Sequence, residues 1–171
     1  MNIILTGFMG TGKSLVGKKL AKGLKMSYLD TDKLIEEREA AKICWIFQEK
    51  GEDYFRRVET EIIKEVSSFD NCVISTGGGA ILKKENLAAL KRKGVIICLS
   101  AHPEVILKRT SESQNRPLLK SKDPKSAVED LLKTRRSFYE KADFEVDTSE
   151  LATSEVVERI EDFLRKKSGD S

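Results

Sequence analysis

The run Gly7-Phe8-Met9-Gly10-Thr11-Gly12-Lys13-Ser14 limits the possible folds of this chain more than any other feature. It satisfies G-x-x-x-x-G-K-[ST], and its flanks agree with that motif. An apolar segment, 2–6, leads into it, and Val16, Leu20 and Leu24 recur at a spacing of four behind it. A strand, a glycine loop and a helix in that order form a phosphate cradle: the loop backbone aims N–H groups at phosphate oxygens, and the helix start adds partial positive charge. Lys13 then reaches the β- and γ-phosphates, and the Ser14 hydroxyl suits a Mg²⁺ ion. The motif predicts nucleoside triphosphate binding and is silent on where the phosphate goes.

The rest of the sequence continues the alternation. Further short apolar runs at 27–30, 72–76, 95–99 and 144–148 read as strands, several of them nearly unbroken in Ile, Val, Leu and Cys, as strands buried on both faces are. Helical spacing links Phe55, Val58, Ile62 and Val66, and again Val156, Ile160, Phe163 and Leu164. The prediction is an α/β protein: a five-stranded parallel sheet between two helical layers. At 171 residues and 39% hydrophobic, one domain over 1–171 is expected. Three segments break the rhythm: a helical insert of about 32–62, whose part 39–52 carries Trp45, Ile46 and Phe47; a polar stretch, 111–124, expected to be a mobile lid; and a tail, 167–171, expected to fray.

Composition narrows the function classes. Lys+Arg 31 against Asp+Glu 28 leaves a net charge of +3, with both signs interspersed along helices. That pattern reads as solvated helix faces and gives no basic stripe for nucleic acid. The three cysteines, Cys44, Cys72 and Cys98, stand far apart with one His in the chain, so zinc is not expected. No apolar run approaches the roughly 20 residues of a membrane span, and nothing before Gly7 resembles a signal peptide. A cytoplasmic location is predicted.

Three motifs follow the glycine loop. Asp30-Thr31-Asp32 closes the second strand, at the end where open parallel sheets bind ligands. One carboxylate can support Mg²⁺ while the other accepts a hydrogen bond from an acceptor hydroxyl; equally, Asp32 can cap the helix that starts at Lys33. In Phe55-Arg56-Arg57-Val58-Glu59, Arg56 and Glu59 lie three apart on one helix face. The spacing fits an ordinary ion pair and fits equally a guanidinium held rigid for a substrate carboxylate. Gly77-Gly78-Gly79 ends the third strand, a costly composition that suits a close approach to the backbone.

Together with Arg116-Pro117-Leu118-Leu119 and with Arg135 and Tyr139 four apart, these motifs in this order and spacing resemble shikimate kinase along essentially the whole chain. The resemblance implies transfer of the γ-phosphoryl group of ATP to the 3-hydroxyl of shikimate, a step of aromatic amino-acid biosynthesis, by a cytoplasmic monomer that uses one Mg²⁺. It implies that Gly10, Thr11, Gly12, Lys13, Ser14 and Leu15 hold the ATP phosphates, with Arg109 stacking on adenine. Ser14 and Asp30 would hold the metal. Asp32 would be base or orienting group for the attacking hydroxyl. Arg56 and Arg135 would clamp the shikimate carboxylate, with Glu59 ordering Arg56. The glycines Gly77, Gly78 and Gly79 would line the acceptor site, Gly78 and Gly79 through N–H groups, and Phe47 and Phe55 would wall it. Arg116 would swing in on the lid to the transferring phosphoryl group, making Lys13, Asp32 and Arg116 the catalytic set. Departures from the family pattern are Ser137 where Pro is common, Ala40-Ala41-Lys42-Ile43 where Gly and Ser are usual, and Leu151 and Thr153 beside the adenine position. Two other classes compete: a kinase for a nucleoside monophosphate or gluconate, and a nucleotide-binding module without catalysis. Retention of Lys13, Asp30, Asp32 and Arg116 speaks against the second.

Overall fold

The structure is a computed structural model that describes residues 1–111 and 122–169. Arg116 and most of the polar stretch predicted as a lid lie outside the described residues. Five strands, β1 (Asn2–Thr6), β2 (Ser27–Asp30), β3 (Cys72–Ser75), β4 (Gly94–Ser100) and β5 (Phe144–Asp147), form one parallel sheet in the order β2-β3-β1-β4-β5. The helices are α1 (Lys13–Leu24), α2 (Thr31–Glu39), α3 (Ile43–Lys50), α4 (Glu52–Val66), α5 (Lys84–Lys91), α6 (Pro103–Thr110), α7 (Pro124–Tyr139) and α8 (Thr153–Ser168), with a 3₁₀ turn at Ala80–Leu82. Every strand lies within one residue of its predicted bounds.

The period of two in the strands assigns each residue to a face. Ile3 and Leu5 of β1 pack with Val73, Val95 and Ile97 against Val16 and Leu20 of α1 and Val156 and Ile160 of α8. Ile4 faces the other way, with Ile74, Ile96 and Cys98, against Val58, Ile62, Ile63 and Val66 of α4. Both faces are dry, which is why the central strands read as unbroken apolar runs. Each such fully buried aliphatic contributes about 1.5–3 kcal/mol, so α4 is held chiefly by its inner stripe. Glu59 stands in that stripe, 1% exposed.

All five strands point their carboxyl ends the same way. Connections leave β1 toward β2 on one side, and β3 toward β4 on the other, so a crevice opens at the ends of β1 and β3. Helices α2, α3 and α4, with the segment after β3, wall that crevice.

The unusual Ala40–Ile43 stretch has a local solution. Ala40 ends α2 in the left-handed region, φ +50°. The first turn of α3 has no side-chain cap of its own. Instead Glu36 reaches over, its carboxylate accepting from the Ile43 N–H at 3.1 Å and from Lys42 Nζ at 2.9 Å. A methyl group at a left-handed position costs about 1 kcal/mol that glycine avoids. Ala40→Gly is therefore expected to stabilise the protein by roughly 1 kcal/mol and raise Tm by about 2–4 °C; an unchanged or lowered melting temperature would show that the turn carries no strain. Ser137, where the family commonly has Pro, lies in the last turn of α7 and not in a loop, so an N–H there serves the helix.

Candidate active site

The glycine loop leaves β1 and enters α1 with Gly10 and Gly12 at φ +75° and +92°, a path closed to most residues with a Cβ. Gly12 is the N-cap of α1 and Lys13 its first residue. Lys13 Nζ donates to the carbonyl oxygens of Gly7 and Phe8, each at 2.8 Å, and the Thr11 hydroxyl donates to the Phe8 carbonyl at 2.8 Å. The loop is thus tied to itself through the Gly7 and Phe8 carbonyls.

Beside it lies a cleft of about 640 Å³, lined by Gly10, Gly12, Lys13, Ser14 and Leu15 on the loop side and by Asp30, Asp32, Phe47, Phe55, Arg56, Glu59, Gly77, Gly78, Gly79 and Arg135 on the other. Residues from six parts of the sequence converge here because all stand at strand carboxyl ends or on the helices that flank them. A second cavity of about 410 Å³ shares Gly10, Gly12 and Leu15 and adds Thr11, Arg109, Thr148, Leu151 and Thr153. The predicted site residues among those described therefore fall in two adjoining cavities, with Thr11 and Arg109 in the second.

The two aspartates have separate work. Asp30, not Asp32, caps α2: its Oδ1 accepts from the N–H groups of Asp32 and Lys33 at 3.1 and 3.4 Å. The sequence reading that let Asp32 be the cap is corrected, because the helix begins two residues earlier than Lys33, at Thr31. The other Asp30 oxygen, Oδ2, accepts from the Tyr28 hydroxyl at 3.2 Å and from Ser14 Oγ at 3.4 Å. Asp32, freed from capping, faces the cleft. Burial, then the charges of Asp30 and Glu59, push its carboxyl from the ordinary 3.8 to about 6, against the pull of Lys13.

Arg56 and Glu59 realise both open readings at once. Arg56 Nη1 donates to Glu59 Oε2 at 2.7 Å, and Glu52 holds the outer edge of the guanidinium at 3.3 Å. Yet Arg56 also lines the cleft, over the Phe55 ring at 5.2 Å. Glu59 is 1% exposed, and its Oε1 has no hydrogen-bond partner among the described residues; burial pushes its carboxyl up even against Arg56. Phe47 and Phe55 pack at 4.6 Å between ring centres on the same wall.

The triple glycine owes its composition to the protein's own side chains. A Cβ on Gly77 would stand 2.9 Å from Asp32 Oδ1 and 3.1 Å from Glu59 Oε1. On Gly78 it would meet Arg135 Nη1 at 3.2 Å, and on Gly79 Arg56 Nη2 at 2.7 Å. The four charged groups crowd against this segment, with the Gly7 carbonyl oxygen 3.1 Å from a Cβ on Gly78, and a side chain at any of the three positions would make a neighbour shift. The Gly77 N–H donates to Thr31 Oγ1 at 3.3 Å, whereas the Gly78 and Gly79 N–H groups have no partner among the described residues.

Sequence reasoning missed several lining groups. Ser75 and Thr76 follow from the same strand-end rule that located Asp30. Thr148 has no local signal. It is buried at the end of β5, where its hydroxyl reaches the carbonyls of Thr11 at 3.1 Å and Ser100 at 3.0 Å, and it receives Arg109 on both its hydroxyl, at 3.0 Å, and its carbonyl, at 2.6 Å. Arg109 is thereby fixed at the mouth of the second cavity. Among the described residues no group of three or more His, Cys, Asp or Glu could hold a metal, and no described helix is long and apolar enough to cross a membrane.

Comparisons with known proteins agree with this geometry. The shikimate kinase family model matches residues 9–165. The shikimate kinase of Caldanaerobacter subterraneus subsp. tengcongensis is 45% identical over 159 residues, 93% of each chain. Among solved structures, shikimate kinase from Acinetobacter baumannii in complex with shikimate superposes with a TM-score of 0.93 at 38% identity, over 97% of this chain and 93% of that one. Shikimate kinase from Aquifex aeolicus gives 0.88 at 38% identity over the whole of both chains. With a family match across nearly its full length and a cleft that gathers the family's motif residues, this chain belongs to the shikimate kinase family.

Proposed function

We propose that the chain transfers the γ-phosphoryl group of ATP to the 3-hydroxyl of shikimate. The observation that carries this reading is that Lys13, Asp32, Arg56 and Arg135 line one cleft. Phosphoryl transfer asks little covalent work of a protein; it needs an in-line approach and charge placed around the equatorial oxygens. The glycine loop supplies the phosphate end. Two guanidinium groups lining the cleft match an acceptor that carries a carboxylate, and Asp32, lining the same cleft, offers a partner for a hydroxyl.

In this reading the Gly10–Leu15 backbone and Lys13 bind the phosphates, and Arg109, clamped by Thr148, covers the base in the second cavity. Ser14 Oγ and Asp30 Oδ2, 3.4 Å apart, are hard oxygen donors suited to Mg²⁺, which takes one or two protein ligands beside phosphate oxygens and water. The ion would supply positive charge to the phosphates. Asp32 accepts the proton of the attacking hydroxyl or orients it. Arg56 and Arg135 hold the carboxylate, with Glu59 bracing Arg56; Gly78 and Gly79 offer N–H groups, and Phe47 and Phe55 cover the ring. Arg116, outside the described residues, is assigned to the charge on the transferring group.

The test is ADP release in the presence of Mg-ATP and a panel of acceptors: shikimate, gluconate and a nucleoside monophosphate. Shikimate should be phosphorylated at a rate at least about 100-fold above the others: a nucleoside monophosphate lacks the carboxylate that the two arginines would pair, and gluconate, which has one, lacks the ring that Phe47 and Phe55 would cover. Phosphorylation of gluconate or the nucleotide in preference to shikimate would overturn the reading.

A further inference from the structure

Strand β2 and helix α1 meet through two matched pairs of residues. Tyr28 and Asp30 are two apart on β2, so both point to one face of the sheet. Ser14 and Gly17 are three apart on α1 and share a face of that helix. Gly17 meets the ring of Tyr28, and Ser14 meets the carboxylate of Asp30. A Cβ on Gly17 would stand 2.6 Å from Tyr28 Cε2 and 3.2 Å from Leu5 Cδ1. The ring therefore lies directly on the backbone of the helix that continues the glycine loop. It packs, partly buried, against the core that holds Leu5, Val16 and Leu20.

This slot decides where the phenol oxygen goes. The Tyr28 hydroxyl donates to Asp30 Oδ2 at 3.2 Å, and Asp30 is then held at both oxygens. Oδ1 accepts from the Asp32 and Lys33 N–H groups, which ties it to the start of α2. Oδ2 accepts from Tyr28 and, at 3.4 Å, from Ser14 Oγ. The Ser14 contact joins the two groups assigned above to Mg²⁺. The Tyr28 contact comes from outside that pair, and on an oxygen with two lone pairs it leaves one for another partner. Carboxylates that serve a metal are oriented by hydrogen bonds of this kind.

We propose that Tyr28 is a positioning residue of the metal site: seated in the Gly17 slot, its hydroxyl holds Asp30 Oδ2 in the direction of Ser14 for Mg²⁺. The inference rests on the functional reading above, in which Ser14 and Asp30 serve the ion. Tyr28 itself lines neither cavity. It acts through Asp30, and its effect is confined to the metal.

Tyr28→Phe keeps the ring in its slot and removes only the hydroxyl. Calorimetric titration of ADP across a series of Mg²⁺ concentrations, with EDTA as the metal-free point, reads the effect without turnover. The Mg²⁺ concentration that gives half of the full tightening should rise about 10-fold, the low end of the loss expected when a partner of a metal ligand is removed. ADP affinity in EDTA and the KM for shikimate should stay within twofold, and the melting temperature within a few degrees. A purely structural role would move those quantities and leave the metal dependence alone. In an Asp30→Asn background, where asparagine still caps α2, Tyr28→Phe should change the Mg²⁺ requirement less than twofold, since the group it acts through is gone. A Phe variant whose Mg²⁺ requirement equals or falls below that of wild type overturns the proposal. So does one that fails to fold, because the hydroxyl would then serve the fold and not the site. If Mg²⁺ does not tighten ADP binding by wild type, the metal part of the functional reading fails; if it does and the variant matches wild type, only this inference fails.

Discussion

Asp32→Asn is expected to lower kcat by about 10³-fold while leaving ATP binding intact, within the 10²–10⁴-fold range of a positioned general base. Asparagine keeps the size and one carbonyl acceptor, but it cannot take a proton at neutral pH. The structure supplies the reason for choosing this residue over its neighbour: Asp30 is spent on the α2 cap and on Ser14 and Tyr28, while Asp32 faces the cleft. Burial and the negative charges of Asp30 and Glu59 hold its carboxyl at about 6, close to the working pH, where a base is most effective. The active form is the ionised one, so kcat/KM for the acid should be level above pH 7 and fall toward tenfold per unit once pH drops below about 6. In the Asn variant that limb should vanish. Steady-state rates from pH 5 to 8 check both statements, and a wild-type profile flat down to pH 5 would contradict the assignment.

The same shift has a stability sign. A carboxyl whose pKa is raised on folding binds its proton more tightly in the folded state, so its contribution to stability falls as pH rises from about 4 through 6 and is lowest above that. At about 1.4 kcal/mol per pH unit the strain amounts to no more than about 3 kcal/mol at neutral pH, and water at the cleft mouth reduces it. Asp32→Asn removes it. The inactive variant is therefore expected to melt slightly higher than wild type at pH 7.5, and the difference should close by pH 4.

Much of this site was legible in the residues because its geometry follows from topology. Once the glycine loop is placed after β1, the parallel sheet delivers Asp30 and Gly77 to the same rim, and α4, packed by Val58 and Ile62, presents Arg56 there. What stayed hidden depends on exact element boundaries or on distant partners. A start of α2 at Thr31 instead of Lys33 transfers the cap from Asp32 to Asp30, a two-residue difference that propensity does not resolve. The triple glycine signalled crowding, but its cause, four charged side chains from α2, α4 and α7, lies far away along the chain, on elements other than the strand the glycines follow. Thr148 reaches the Thr11 carbonyl across 137 residues and Tyr139 the Gly78 carbonyl across 61, and neither residue type marks a site by itself. Arg56 with Glu59 was ambiguous because the two readings are not exclusive: the ion pair is what holds the fork in the cleft.

That pair gives the second large effect. Arg56→Ala is expected to raise the shikimate KM by about 10²-fold, the loss of a charge-assisted contact that lysine restores only in part because a point charge lacks the fork. It should also destabilise the fold, since Glu59 would remain in the apolar stripe of α4 with its main partner gone; breaking a buried pair costs about 3 kcal/mol or more, or roughly 6–12 °C in Tm. The two losses can be separated. Glu59 already has its carboxyl raised by burial, against Arg56, and without that guanidinium it rises further. The folded variant then gains stability as pH falls, so its deficit should be largest near pH 8 and shrink toward pH 5. Adding Glu59→Gln removes the stranded charge and should recover most of the melting temperature at pH 8, yet leave KM high, because the guanidinium is still missing. Binding can be followed without turnover through Trp45, the chain's single tryptophan, which lies exposed on α3 two residues from Phe47. A double variant that regains shikimate affinity together with stability would mean that Arg56 serves only to neutralise Glu59, and that the carboxylate is held by Arg135 alone.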